Sequence, residues 1–331
     1  LKQLRGTRPK TAARHPQRAL VNRGVTLHEG GMDLWIILSV AAASFQTLRF
    51  MLQKHLSMGA LSAGGATLAR FFYSAPFVVT LAFGYLWATG AVWPGYSPLF
   101  WLYAVAGGLS QILATWCVVA LFSERNFAVG ITFKKTEVVQ TAIVGLVILG
   151  DRITVWGLAA IVLGLLGVLI LSETPGLEAR WWRRFTNRAA FLGLASGAFF
   201  AVSAVGYRGA TLEIASSDPL LRAGLALAVV TVMQTVALTL WLIWREPGQV
   251  GRVIAAHRTA VWMGLTGMAG SLCWFTAFTL ENAAMVFAVG QVEVIFSLFA
   301  SVLVFGERIT RREGWGMALI TLSVIAVVML R

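Results

Sequence analysis

Long apolar runs separated by short polar connections dominate the chain. The runs cover residues 34–52, 65–87, 98–122, 127–149, 153–171, 190–207, 219–244, 260–280, 283–305 and 314–330. A helix needs about 20 apolar residues to cross a bilayer, and these runs come close to or exceed that length. None shows the strict alternation of outer-membrane strands, which predicts helices rather than barrel staves. The longest connection, SETPGLEARWWRRFTNR, holds Pro175, Gly176 and a cluster from Trp181 to Arg184 suited to the headgroup boundary. It separates residues 33–171 from residues 190–330, with 172–189 as an interfacial linker. The expected fold class is an all-α integral membrane protein of ten transmembrane helices, five on each side of that linker.

Composition points the same way. Of 331 residues, 58% are hydrophobic and 12% charged, with a mean hydropathy of +0.76. A soluble domain carries about twice that charged fraction, so lipid is the expected solvent for most of the chain. The net charge of +13 is concentrated in residues 1–31, with seven Lys/Arg and one acid, and in short arginine-bearing loops. That distribution suits membrane orientation and not nucleic-acid binding. Residues 1–31 lack the apolar core of a secretory signal, the chain begins with Leu1, and Met32-Asp33 stands just before the first run. They are expected to form a basic, unstructured extension, whose place in the native protein an intact-mass measurement would decide. Cys117 and Cys273 both lie inside apolar runs and make neither a disulfide framework nor a metal site, so no cofactor is expected.

The two halves repeat. Shifting the chain by 156 residues lays N126…GDRIT154 on N282…GERIT310, with eight identities in 29 positions. They are Asn126/Asn282, Ala128/Ala284, Glu137/Glu293, Val138/Val294, Gly150/Gly306, Arg152/Arg308, Ile153/Ile309 and Thr154/Thr310. Cys117/Cys273 and Phe122/Phe278 also coincide, and Trp156-Gly157 meets Trp315-Gly316 after a three-residue shift. Matched apolar residues mean little in such a chain, but matched polar ones carry weight. Five spans per copy force the second copy to enter the membrane from the opposite side, giving two inverted five-helix repeats. Inverted repeats around a central site are the physical basis of alternating access, so transport is the expected function.

The doubled G-[DE]-R-I-T turn, each copy leading into a Gly-rich last span with Trp-Gly near its start, resembles the EamA-type branch of the drug/metabolite transporter superfamily. Arg70 in TLARFF and Arg222 in LLRAGL fit the same pattern. The resemblance covers roughly residues 33–330. It implies a ten-helix bundle that exports or exchanges small metabolites, often amino acids or related compounds, in the bacterial inner membrane. One departure stands out. Where many relatives resemble Leu-x-Pro-Val, this chain has KTEV and QVEV, so its substrate does not follow from the family.

Those two tetrapeptides hold the strongest chemical signal. Of the 14 acids, only Glu137 and Glu293 lie deep in a span, each the eleventh residue of its run. An ionised group at that depth costs about 2.5–3.5 kcal/mol on insertion scales and needs a partner or a water-lined cavity. Lys134 is three residues before Glu137 and shares its helical face, whereas Lys135 lies about 100° around. At the equivalent positions the second half has Gly290 and Gln291, with no cation. A shared cavity resolves the imbalance, because two lysines and two glutamates facing one pocket nearly neutralise one another. Lys134, Lys135, Glu137, Glu293 and Gln291 are thus the expected substrate and coupling site. The lysines would hold a substrate carboxylate, and a glutamate would take an ammonium or a proton, since burial favours the neutral carboxyl.

Other polar groups have plainer uses. Gln46 and Arg49 can reach a pocket, although snorkelling to the interface is the default for Arg49 and Lys54. Arg70 and Arg222 can snorkel or gate. Trp116 and Trp274 can line a cavity, with aromatic packing the commoner role. Asn126 and Asn282 suit N-caps, local pairing suffices for Asp151–Arg152 and Glu307–Arg308, and GLASG at 193–197 is a close-contact helix face. Expected partners are a small-molecule substrate, a coupling proton or other ion, and the lipid bilayer; a homodimer stays open. A membrane-embedded enzyme would need a catalytic constellation, but His15, His28, His55 and His257 lie in the tail, at a span end or in a loop. A lipid-linked carrier flippase and a passive channel are two further functions that such a bundle could serve. Sidedness stays open too. Loops on the terminal side carry Arg152, Arg208 and Arg331 against twelve cations opposite, while the tail's seven cations favour cytoplasmic termini.

Overall fold

The computed structural model describes residues 33–59, 61–124, 127–172, 188–296 and 310–329. The N-terminal extension, the tryptophan–arginine linker, Asn126 and the second G-E-R-I-T turn fall outside them. The described residues form helices α1 Leu34–Ser57, α2 Ala63–Thr89, α3 Pro98–Leu121, α4 Phe127–Lys134, α5 Glu137–Ile148 and α6 Val155–Ser172. After the linker come α7 Arg188–Leu212, α8 Pro219–Arg245, α9 Gln249–Ala255, α10 His257–Leu280, α11 Ala283–Gly290 and α12 Arg311–Met329. Six of these, α1, α2, α3, α7, α8 and α10, are long and apolar enough to cross a membrane. Apolar stretches at Val155–Ile170, Ala283–Phe296 and Gly314–Met329 are shorter.

Helix starts follow local chemistry. Ser62, Ser97 and Asp218 each accept a backbone N–H in the first turn of α2, α3 and α8. Pro98 and Pro219 follow two of these caps, where a missing N–H costs nothing. Gly150, at the start of the G-D-R-I-T turn, has φ +70°, a left-handed conformation that only glycine adopts without penalty. Asn282 caps α11 through its side-chain oxygen and the Ala284 N–H.

The run expected as one span at 127–149 is two helices. α4 ends at Lys134, Lys135 and Thr136 form a turn, and α5 begins at Glu137. The run expected at 283–305 is interrupted at Gln291 and is helical again over residues 292–296. Gln291 and Val292 are the 156-shift equivalents of Lys135 and Thr136, so the two interruptions fall in register. The backbone tightens there to three-residue spacing, with Thr136 N–H donating to Phe133 O at 3.2 Å and Gln291 N–H to Ala288 O at 3.2 Å. Continuous hydropathy cannot reveal this, because a tightened turn exposes little and changes no side chain. The short α9 after α8 is likewise unanticipated.

Neighbours are paired reciprocally: α3 lies along α7, α1 along α10, α2 along α8, and α6 along α12. Small residues permit close approach. A Cβ on Gly206 would lie 2.9 Å from Gly107 Cα, and one on Gly167 would lie 2.9 Å from Gly316 O. Gly193 faces Gly130 O too closely for any side chain, and a Cβ on Gly197 would sit 3.1 Å from Lys134 O. The GLASG face therefore presses α7 directly against α4 and its terminal turn. Large apolar side chains such as Leu102, Leu109, Val147 and Leu240 remain exposed on the outside, as expected where the surroundings are lipid.

Candidate functional site

The interruption between α4 and α5 brings three charges to the centre of the bundle. Lys134 Nζ donates to both carboxylate oxygens of Glu137 at 2.9 Å, and both side chains are buried. Lys134 also lies 5.0 Å from the centre of the Phe200 ring, which shields its other side. Lys135 points across the bundle, its Nζ 3.5 Å from Glu293 Oε2. The expected quartet is therefore two ion pairs, one within the first half and one between halves. Gln46 of α1 donates to Glu293 Oε2 at 2.9 Å and accepts from Trp274 Nε1 at 3.2 Å, linking α1, α10 and the second interruption.

Two adjoining chambers open beside these pairs. The first, with about 300 Å³ of non-atom space, is lined by Gln46, Lys134, Glu137, Gln291, Glu293, Trp274, Phe200, Phe287 and Gly290. The second, about 370 Å³, is lined by Arg70, Gln111, Ser203, Tyr207 and Ser271, with Gln46, Phe200, Trp274 and Phe287 as shared wall. Their free space is tight enough to admit only about a water or two in each. Gln291 is 5% exposed, and its side-chain oxygen has no hydrogen-bond donor, an acceptor turned to the first chamber.

Arg70 and Arg49 do not snorkel. Both are buried, and Arg70 lines the second chamber, donating to Thr115 Oγ1 at 3.1 Å and Ser271 Oγ at 3.4 Å. Arg49 donates to Gln53 Oε1 at 2.7 Å and lies over the Phe50 ring at 4.1 Å. The wall opposite Arg70 is a polar network in which Tyr207 donates to Gln111 Oε1 at 2.9 Å, as does Gln234 at 2.9 Å. Gln111, Tyr207, Ser203, Ser271 and Gln234 escape sequence reading because none has an identical twin at the 156-residue shift, although Ser203 and Ser271 fall on Thr47 and Thr115. Mid-span amides were the available signal.

Two expected site residues lie elsewhere. Arg222 sits at the start of α8 and donates from Nε to Thr211 O at 2.6 Å, fastening the end of α7. Trp116 packs edge-on against Trp241 at 4.7 Å and borders neither chamber. Asp151 does not rely on a local partner either. Arg208 of α7 donates from Nε to Asp151 Oδ2 at 2.9 Å and from Nη1 to Phe278 O at 2.7 Å and Glu281 O at 2.6 Å. One guanidinium thus ties the turn after α5 to the end of α10.

Residues 187–329, the second half of the bundle, match the EamA-like transporter family. No curated protein matches the chain. A solved structure described as "Crystal structure of protein" superposes with a TM-score of 0.65 at 13% identity, covering 89% of this chain and 96% of that one. At that identity the likeness concerns the fold alone.

Proposed function

We propose that this multi-pass membrane protein, whose residues 187–329 match the EamA-like transporter family, is a secondary transporter working by alternating access. Its cargo on this reading is a small metabolite, exported or exchanged through the paired chambers. The observation that carries the reading is the pair of in-register interruptions, which deliver Lys134, Glu137, Gln291 and Glu293 to one cavity, with Lys135 paired to Glu293 behind its wall. Irregular backbone at membrane depth is tolerated where it lines such a cavity, and interrupted helices typify transporter sites. Reciprocal pairing of α1 with α10 and α3 with α7 is the contact pattern that two inverted five-helix halves would produce.

The mechanism follows from which contacts cross between halves. Lys134–Glu137 lies within one half, whereas Lys135–Glu293, Gln46–Glu293 and Asp151–Arg208 cross between them. Rocking the halves must break the crossing contacts and can leave the internal pair whole. Protonating Glu293 would remove the charge that holds Lys135 and Gln46, loosening the centre; this is a direct route to proton coupling. The tight chambers correspond to a closed conformation, and Arg208 seals the end bearing Asp151.

A growth screen tests this. Cells expressing wild type, Glu137→Gln or Glu293→Gln at matched levels are challenged with inhibitory amino acids, their analogues and other small metabolites. Protection by wild type that both variants lose, and that disappears when the pH gradient is collapsed, is the expected result. Protection surviving both substitutions would remove the glutamates from the transport path.

A further inference from the structure

We infer that the second chamber is an oxyanion subsite centred on the Arg70 guanidinium, so that the transported molecule carries a carboxylate or phosphate group. The inference rests on the transport reading only in taking the cavity as the substrate path.

The charge around the cavity does not balance. Lys134 and Lys135 are each engaged by a glutamate, so neither is the free cation that sequence reasoning assigns to a substrate carboxylate. Arg49 and Arg70 are additional, and among the described residues neither lies within ion-pair distance of a carboxylate. Their side chains run together past Gly267, where a Cβ would meet Arg49 Cδ at 3.3 Å and Arg70 Cγ at 3.6 Å, and their charges oppose one another. Four cations therefore face two carboxylates in a buried site. A guanidinium cannot discard its proton, and a buried, uncompensated charge is costly. A site that retains it is built for a charge that arrives from outside.

Arg70, unlike Arg49, lines a chamber. Its neutral partners, Thr115 and Ser271, fix its position but leave its charge unmatched. Ser271, Ser203 and the Gln111 amide surround the same chamber with groups able to complete the coordination of an oxyanion, and Trp274 and Phe287 close its apolar side. The planar fork of a guanidinium matches carboxylate and phosphate geometry. The first chamber offers no unmatched cation: its Lys134 is paired with Glu137, and Glu293 and the undonated oxygen of Gln291 complete its polar wall. The anionic end of a substrate thus belongs at Arg70 and not at the lysines.

The test is binding to the purified full chain in detergent, read by thermal unfolding at constant ionic strength. The probes are sodium acetate, its neutral isostere acetamide, and inorganic phosphate. Acetate or phosphate should raise the unfolding temperature saturably while acetamide does not, and the stronger of the two anions identifies the oxyanion class. Arg70→Gln should weaken the response at least tenfold, Arg70→Lys should retain part of it, and Arg222→Gln, a buried arginine outside the chamber, should leave it unchanged. Without any anion, Arg70→Gln should unfold at or above the wild-type temperature, because it removes an unmatched charge. A response equal in wild type and Arg70→Gln, no saturable response to either anion, or an Arg70→Gln protein that unfolds well below wild type overturns the inference. Because binding is read without translocation, a failed growth screen with intact anion binding would defeat the transport reading alone.

Discussion

Loosening the Arg208 clamp should open the chambers toward the Asp151 end. Asp151→Asn keeps an acceptor beside Arg208 and removes only the ionic component. The two side chains are 15% and 16% exposed, so that component is worth about 1 kcal/mol, the upper range for partly exposed pairs. Arg208→Met also removes two donors to the Phe278 and Glu281 carbonyls. Bonds to a charged group contribute about 1.5–3 kcal/mol each, and water will replace part of that at the bundle end, leaving a total of about 2.5 kcal/mol. If the clamp forms only when this end is closed, about 1 kcal/mol shifts the closed–open balance roughly fivefold and about 2.5 kcal/mol roughly fifty- to hundredfold. The assay replaces Cys117 and Cys273 with alanine and places a reporter cysteine by Ser203→Cys on the chamber wall. Labelling by a membrane-impermeant thiol reagent, added to the clamp side, should quicken modestly with Asp151→Asn and strongly with Arg208→Met. Unchanged rates, or acceleration only from the opposite side, would show that the clamp holds the fold together without gating it.

Two further outcomes follow from the site. Glu137→Gln leaves Lys134 buried without its counter-charge, so thermal unfolding should report a loss of about 3–5 kcal/mol; adding Lys134→Met to Glu137→Gln should recover most of it, and failure to recover would mean the pair is not the source. Trp274→Phe removes the donor to Gln46 that positions Glu293 and should lower flux several-fold. Trp116→Phe, in a packing contact away from both chambers, should leave flux within about twofold, since packing changes of this size remote from a site rarely perturb it; equal losses in both would argue for a purely structural role for Trp274.

The long helices are legible because lipid imposes a length and a composition that no other environment demands. The predicted runs at 34–52, 65–87, 98–122, 190–207, 219–244 and 260–280 coincide with α1, α2, α3, α7, α8 and α10 to within a few residues at most ends. The charges of KTEV and QVEV are visible as violations of that composition. Their backbone consequence is not: Lys135, Thr136 and Gln291 draw the eye for their side chains, although polar residues at matched depths in both halves also mark where a helix can be interrupted. Arg208 is invisible for a different reason. It lies near a helix end, where an arginine is ordinary, and its three partners come from two distant segments that only the packed bundle brings together. A rule that holds for isolated helices sends Arg49 and Arg70 to the interface; inside a bundle with Thr115, Ser271 and Gln53 to receive them, burial prevails.

The close contact of α7 with α4 has a mechanical side. Gly193 seats one end of α7 on the backbone of α4 at Gly130, and Gly197 seats it on the backbone of the charged turn at Lys134 and Glu137. Phe200, Ser203 and Tyr207 of the same helix line the chambers, and Arg208 stands eleven residues beyond Gly197, about 16 Å along the axis at 1.5 Å per residue. A single unbroken helix therefore joins the chamber walls to the Arg208 clamp. A displacement at either end is delivered to the other at full length.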